Sequence, residues 1–442
     1  MRANSEKQRK SFIEEKLDKI PLEKLSKETK FSNRQPKKIT MRDFLLGFFM
    51  MVNSSGNKSY RDWAIKISLL IQDTVSKQAI WKKMHEGQIV FLKEVLSYIM
   101  EEKIGNRINV DLKQFKNVII EDSTNIQLPD KLHAEYPGNA NWKKEKKKAI
   151  LKIQACYSLT KRSFIRFAIT SFRENDQGYS QKILEVVKKG DLLIRDLGYF
   201  VLKTFKSLNK EGVYFISKLR KEVNILSRKD EQVIDLAKML RRRGKLDIEV
   251  FAGQEEKVPV RIIALPLEDK IANQRRRKAK TNRDKRCRPS KETLYLLGWE
   301  IFITNVERGT LSSVDIGKLY FIRWRIEIIF KSWKSNFRIT EVPRDTNKIR
   351  IESYIYCMLL FITLIQVYFY NYCLEKNKRN NGDISLLSLM EYITNNFELI
   401  VQHVLAGSYI DESILIKQIN YYCRYESRND RANFHQKIKK LG

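Results

Sequence analysis

The sequence predicts an α/β fold: a core of strands and helices, interrupted by a β-rich insertion and flanked by helical segments at both ends. Three observations predict it. Two short apolar runs, at 118–124 and 191–200, have the length of buried strands, and each runs into an acid, Asp122 and Asp196. A third stretch, Tyr320 to Lys334, has no Gly or Pro and reads as one helix. At roughly 100° per residue, Tyr320, Arg323, Glu327 and Lys334 fall within about 60° of one another, and Ile322, Ile326, Ile329 and Trp333 lie opposite. Such a helix turns its back to a core and presents one carboxylate among groups that bind phosphate. A solvated face with an i, i+4 Arg323–Glu327 pair is the plainer account.

Composition narrows the class. The 442 residues suffice for several domains, and 43% are apolar, so the chain is globular. Lys plus Arg number 85 against 52 acids, a net charge of +33, which points to a polyanion, either nucleic acid or an anionic membrane surface. The five cysteines are scattered without a CxxC pair, and the four histidines lack metal-ligand spacing. Both facts argue for reduced thiols in an intracellular protein and against a zinc site. The charged first 30 residues have no signal-peptide pattern. The apolar stretch 353–373 could span a bilayer by length, but its tyrosines, Thr363, Gln366 and Asn371 favour a buried core helix, so no membrane is expected.

The elements follow in order. Residues 1–35 alternate Lys and Glu and read as exposed helix or loose tail. Thr40 can cap a helix whose apolar face holds Phe44, Leu45, Phe48, Phe49 and Val52. Asn53–Asn57 is a loop, 59–70 a second helix, and Ser76 caps a third. The three make a plausible helix-turn-helix, with a bundle that does not touch DNA as the alternative. The 118–124 strand would deliver Asp122 to its C-terminal edge with Glu121 on the other face, a register error being the alternative. Lys143, Lys144, Lys146, Lys147 and Lys148 form a basic loop. Residues 149–159 and 164–172 read as a hairpin, 180–189 as a helix closed by Gly190, and 191–200 as a strand. The order β-β-β-α-β with an acid at each strand end, followed by a late helix bearing Glu327, is the one a ribonuclease-H-like fold requires. The segment between Asp196 and Glu327 is too long for one connection, and strands at 212–220, 246–252, 258–267 and 294–304 make it a β-rich insertion. Within it, Arg275, Arg276, Arg277, Lys278, Lys280, Arg283, Lys285, Arg286 and Arg288 form the densest basic run, expected as a flexible DNA-binding loop or else an inert surface one. Past residue 377, a polar linker leads to amphipathic helices suited to self-association.

Tyr320, Arg323, Glu327 and Lys334, at spacings of three, four and seven, resemble the YREK signature of bacterial insertion-sequence DDE transposases, the group named for insertion sequence four. Asp122 followed by Gln127-Leu128-Pro129, and Asp196-Leu197-Gly198-Tyr199-Phe200, resemble that family's two upstream motifs. The resemblance spans about 40–375. It implies a helical DNA-binding region (1–105), a ribonuclease-H-like catalytic core in two parts (112–205 and 298–376), a β-rich insertion subdomain (206–297) and a helical end that could dimerise (377–442). It implies catalysis by Asp122, Asp196 and Glu327, holding two Mg²⁺ or Mn²⁺ ions. DNA would be gripped by Tyr320, Arg323, Lys334, Arg275, Arg276 and Arg277. Trp299, 28 residues before Glu327, stands where relatives stack a flipped base, although a core Trp on a strand is the alternative. The chemistry agrees with the residue types. A phosphodiester repels nucleophiles, two divalent ions can serve its attacking and leaving oxygens, and hard cations prefer carboxylates. The implied reaction is cleavage at the ends of an insertion sequence, through a hairpin, and strand transfer into target DNA. The partners are the terminal inverted repeats, the target duplex and a second copy of the chain, in the bacterial cytoplasm on the nucleoid. A metal-dependent nuclease that does not join, an inactive DNA-binding repressor and a membrane-surface protein are the competing readings.

Overall fold

The computed structural model describes residues 17–32, 38–52, 58–101, 112, 114–140, 147–281, 288–345, 347–377, 384–396 and 412–424. The expected loop Asn53–Asn57, Lys143, Lys144, Lys146, Arg283, Lys285 and Arg286, the polar linker and the basic C-terminus lie outside them.

Among the described residues the N-terminal part includes the helices α1 (Leu22–Glu28), α2 (Met41–Val52), α3 (Tyr60–Ile71), α4 (Lys77–Trp81) and α5 (Glu86–Glu101). Thr40 and Ser76 cap α2 and α4 as expected, Thr40 Oγ1 accepting from Asp43 N at 3.1 Å, whereas Ser59, expected as the first residue of its helix, is its cap. Ser59 and Asp62 form a reciprocal capping box on α3, and the Ser76 hydroxyl accepts from Ala79 N on α4. Phe44 and Phe48 pack on Trp63 between α2 and α3, Ile67 closes on Gly47, and the Trp63 indole donates to Phe44 O at 3.0 Å.

A ten-stranded sheet follows. Its strands are β1 (Val118–Leu128), β2 (Pro137–Ala140), β3 (Lys147–Ser158), β4 (Ser163–Ser171), β5 (Leu192–Arg195), β6 (Tyr214–Lys218), β7 (Ile225–Ser227), β8 (Leu246–Ala252), β9 (Val258–Pro266) and β10 (Trp299–Thr304). Antiparallel β4, β3 and β1 are continued by parallel β5 and β6, the arrangement a ribonuclease-H-like core demands. Beyond β6 come β10, β9, β8 and β7, all antiparallel. The strands of the expected insertion thus extend the core's own sheet through the β6–β10 and β10–β9 pairings, so no gap in the hydrogen bonding marks a separate body.

Successive residues of the central strands feed opposite layers. Ile120, Leu192, Ile194 and Ile216 face one core, shared with the N-terminal helices and with the later helices α11 (Ser313–Ile322), α12 (Trp324–Ser335) and α13 (Lys348–Thr363). Ile119, Leu193, Phe215 and Ile303 face the other, under α7 (Leu202–Lys210), where Phe205 stacks on Phe215 at 4.4 Å. α6 (Asp176–Tyr179) and a 3-10 segment, Ser180–Glu185, replace the single helix expected at 180–189. The strand expected over 191–200 stops at Arg195, because Asp196 caps a one-turn 3-10 helix at Leu197–Tyr199.

The basic run is a further departure. Asp269–Lys280 forms helix α9, which follows α8 (Leu236–Arg243). Arg and Lys are good helix formers, Ala272 is buried, and Arg275 pairs with Glu300 on β10. Lys291–Leu296 is helical too (α10), so the strand expected from 294 begins only at Trp299. The long apolar helix is α13, continued through a π-turn at Leu364–Phe369 into α14 (Tyr370–Asn377). Over its most apolar window 88% is buried inside the protein, against α2 and α5 among others, as a core helix requires. α15 (Leu386–Asn395) and α16 (Glu412–Tyr422) close on α12 and α14.

Candidate active site

Three elements bring Asp122, Asp196 and Glu327 into one open cleft of about 670 Å³. Parallel pairing of β1 with β5 ends at the rung Glu121–Arg195, and the next residue on each strand is one of the two aspartates. Asp196 stands at the end of its strand, as expected. Asp122 does not, because β1 continues to Leu128 against β3 alone. It is the loss of the β5 neighbour that opens space beside it. Glu121 is fully buried on the opposite face, ion-paired to Arg195 at 2.7 Å, which resolves the register in favour of Asp122 as the acid in the cleft.

Glu327 comes from α12. The single helix expected over 320–334 is broken at Arg323: α11 ends at Ile322, and Arg323 N donates to Tyr320 O at 3.1 Å in a tightened turn before α12 begins. Arg323 itself is almost wholly buried, and its guanidinium meets all three acids. Nη1 donates to Asp122 at 3.0 Å, Nη2 donates to Glu327 at 2.7 Å, and Nε lies 3.7 Å from Asp196. Ser123 N also donates to Asp122 Oδ1 at 2.8 Å. Burial above all, with the charges of Asp196 and Glu327 adding to it, pushes the Asp122 carboxyl up to about 7, against the pull of Ser123 and Arg323.

Lys334 lines the same cleft, and burial lowers its pKa. Tyr320 is buried beside the cleft, its ring against Phe302 at 5.2 Å and the Lys218 ammonium 5.5 Å from its centre. Lys218 pairs with Glu300 at 3.0 Å, and Glu300 also takes Arg275. Arg276 is turned to Leu294 O and Asn273, and none of Arg275, Arg276 and Arg277 lines the cleft. Nor does Trp299, which is half-buried in a small apolar cluster with Leu240, Leu246 and Tyr295.

Sequence reasoning missed three features here. Lys331 lines the cleft, one turn after Glu327 on α12. Asp176 gathers Ser123 Oγ, Lys152 Nζ and Gln154 Nε2 around one carboxylate oxygen at 2.9–3.3 Å, directly behind Asp122. Phe321 and Trp324 flank Arg323 on the solvent side, 54% and 51% exposed, with their rings 6.4 Å apart and near parallel. Only the aromatic pair left a sequence signal, two rings off the apolar stripe of a buried helix.

Among the described residues no three carboxylate, imidazole or thiol groups stand close enough to share one metal ion, because the Arg323 guanidinium lies between the acids. The donor set nonetheless fits a hard divalent cation. It is all carboxylate oxygen, it carries more negative charge than one guanidinium offsets, and the buried member resists ionising without a further cation nearby.

Comparisons with known proteins show which family the chain is similar to. A family model described as "Transposase DDE domain" matches residues 113–362, more than half of the chain. The transposase for insertion sequence element IS231F of Bacillus thuringiensis subsp. israelensis is 25% identical over 396 residues, covering 84% of this chain and 82% of its own length. The IS1151 transposase of Clostridium perfringens is 26% identical over 370 residues, covering 78% and 76%. Among solved structures, a chain of the piggyBac transposase synaptic complex with hairpin DNA has a TM-score of 0.43 and 10% identity over 94% of this chain and 84% of that one, a likeness too slight to bear on the reaction.

Proposed function

This chain belongs to the DDE-domain transposase family of bacterial insertion sequences, and from that premise we propose that it moves its element by cut and paste, cleaving the element's ends through a hairpin and joining them to target DNA. The observation that supports this most is the convergence of Asp122, Asp196 and Glu327, far apart along the chain, on the single side chain of Arg323.

In this reading the three carboxylates hold Mg²⁺ or Mn²⁺, two ions at a time. The ions supply charge neutralisation at the attacking and leaving oxygens of the phosphodiester. The chain's own residues do the rest. Arg323 would exchange its carboxylate partners for phosphate oxygens as the strand enters, a match to its planar fork. Lys334 and Lys331 would hold the flanking phosphates, and Tyr320 would shape the wall beside Arg323. A strand bent into a hairpin leaves a base unstacked, and the exposed Phe321–Trp324 pair offers it a face next to the cleft. Trp299 could take that part only by leaving its apolar cluster. Arg275, Arg276 and Arg277 on α9 would meet DNA as a charged helix face. The N-terminal helices would hold the terminal repeats, and a second copy would complete the synaptic complex, in the bacterial cytoplasm on the nucleoid.

The test is Mg²⁺-dependent nicking of terminal-repeat duplex, followed by strand transfer from pre-cut ends. Nicking without transfer would leave a nuclease. Binding without nicking would leave a repressor.

A further inference from the structure

We propose that the buried Glu121–Arg195 ion pair is a register lock that sets the spacing of the two cleft aspartates. Glu121 and Arg195 would then be positioning residues for metal binding. The inference rests on the reading of Asp122 and Asp196 as metal ligands.

The ladder between β1 and β5 is only four rungs long: Val118–Leu192, Ile119–Leu193, Ile120–Ile194 and Glu121–Arg195. Its first three rungs are aliphatic and buried on both faces. Register is strongly specified where one face is polar and the other apolar, because a slip moves the wrong side chains inward. Here a slip by one residue would exchange one aliphatic residue for another, so the hydrophobic pattern does little to forbid it. The fourth rung does. Any slip separates a carboxylate from a guanidinium in a layer where both are within 1% of full burial, and a buried charge without its partner is strongly disfavoured.

The pair is poorly suited to be a stability device alone. Arg195 Nε and Nη1 are buried and donate to no protein acceptor, although Nη2 reaches Ser180 O at 2.8 Å and the guanidinium lies over Tyr199 at 4.9 Å. Buried ion pairs replaced whole by apolar residues often leave stability unchanged, and fixing a register is their best-attested use. Its place is specific as well: the rung lies one residue before Asp122 on one strand and one residue before Asp196 on the other. A slip of one position would move one aspartate past the other by a residue's rise, about 3.3 Å, comparable to the whole separation of paired catalytic ions.

The experiment uses the full chain without DNA and titrates Mn²⁺, followed by thermal shift and by the EPR signal of free Mn²⁺. The variants are Glu121→Met with Arg195→Met together, Arg195→Lys alone, and Asp122→Asn and Asp196→Asn as controls. The double variant is expected to melt within a few degrees of the parent and to bind Mn²⁺ more weakly by about tenfold or more, the range seen when supports of metal ligands are removed. Arg195→Lys keeps the charge but loses the fork, so it should fall between the two. A folded double variant with the parent's Mn²⁺ titration overturns the proposal. Should that variant fail to fold, Arg195→Lys decides, and an unchanged titration there overturns it equally. If Asp122→Asn and Asp196→Asn leave Mn²⁺ binding unaltered, it is the assignment of the acids that fails, not the lock.

Discussion

Replacing Asp122 by Asn should make the protein more stable at neutral to alkaline pH while ending its proposed chemistry. The Asp122 carboxyl titrates at about 7 in the folded chain, against 3.8 in an unperturbed one, chiefly because it is buried. Between about pH 4 and 7 the folded chain therefore holds a proton that the unfolded chain has released. Stability falls as pH rises through that window and levels off above 7. At roughly 1.4 kcal/mol per pH unit, the charged carboxylate costs the folded state about 4 kcal/mol on the alkaline side. Asn carries no such charge. Denaturant unfolding in EDTA should then give matching stabilities near pH 4, curves that diverge toward pH 7, and a constant excess for Asp122→Asn of up to about 4 kcal/mol at pH 8. Saturating Mg²⁺ should return about 2.7 kcal/mol to the parent at a hundredfold excess over its Kd and nothing to the variant. Parallel profiles across this range, or an Asn variant less stable at pH 8, would refute the assignment of a buried, charge-strained carboxyl.

Glu327→Gln should reduce Mg²⁺-dependent nicking to background with binding of terminal-repeat DNA nearly unchanged in a gel-shift assay, since only the carboxylate's charge is removed. Trp324→Ala, and Phe321→Ala beside it, should slow hairpin formation by about 10–100-fold, from about 1–3 kcal/mol of stacking per base, with the first nick unaffected. Equal loss in both steps would make these rings structural. DNA affinity measured from 50 to 200 mM salt should fall with a log–log slope of about −0.9 per phosphate contacted. Ser59→Ala should lower stability by about 1 kcal/mol through loss of the capping box on α3, without changing nicking once the protein is folded.

Local chemistry made much of this legible. The caps at Thr40 and Ser76, the hairpin of β3 and β4, and β8, whose bounds match residue for residue, follow from patterns within a few residues. The three acids were legible because two follow apolar runs and the third lies opposite an apolar helix stripe, although Asp122 sits within β1 rather than at its end. Features set by distant partners were not. The tightened turn at Arg323 depends on three carboxylates that draw the guanidinium across the cleft. Asp176 gains meaning only when Lys152, Gln154 and Ser123 fold around it. The α9 helix reads as a loop in sequence because its charges mask a good backbone propensity, and its one buried contact, Ala272, is too small to show a period. The insertion reads as a separate body until the pairing of β10 with β6 joins it to the core sheet.

The anchoring of the N-terminal helices has a consequence for measurement along DNA. α2, α3 and α5 share one apolar core with α13, and the joint carries two long-range polar ties: Ser353 to Gln88 at 2.6 Å and Lys58 to Glu341 at 3.2 Å. Under the proposed reading, the parts that would grip a repeat and the part that would cut it are packed against one another through this core. One base pair added between the gripped sequence and the element's tip would push the scissile phosphate about 3.4 Å along the axis and around the duplex as well, a displacement that could be followed only by disturbing this shared core.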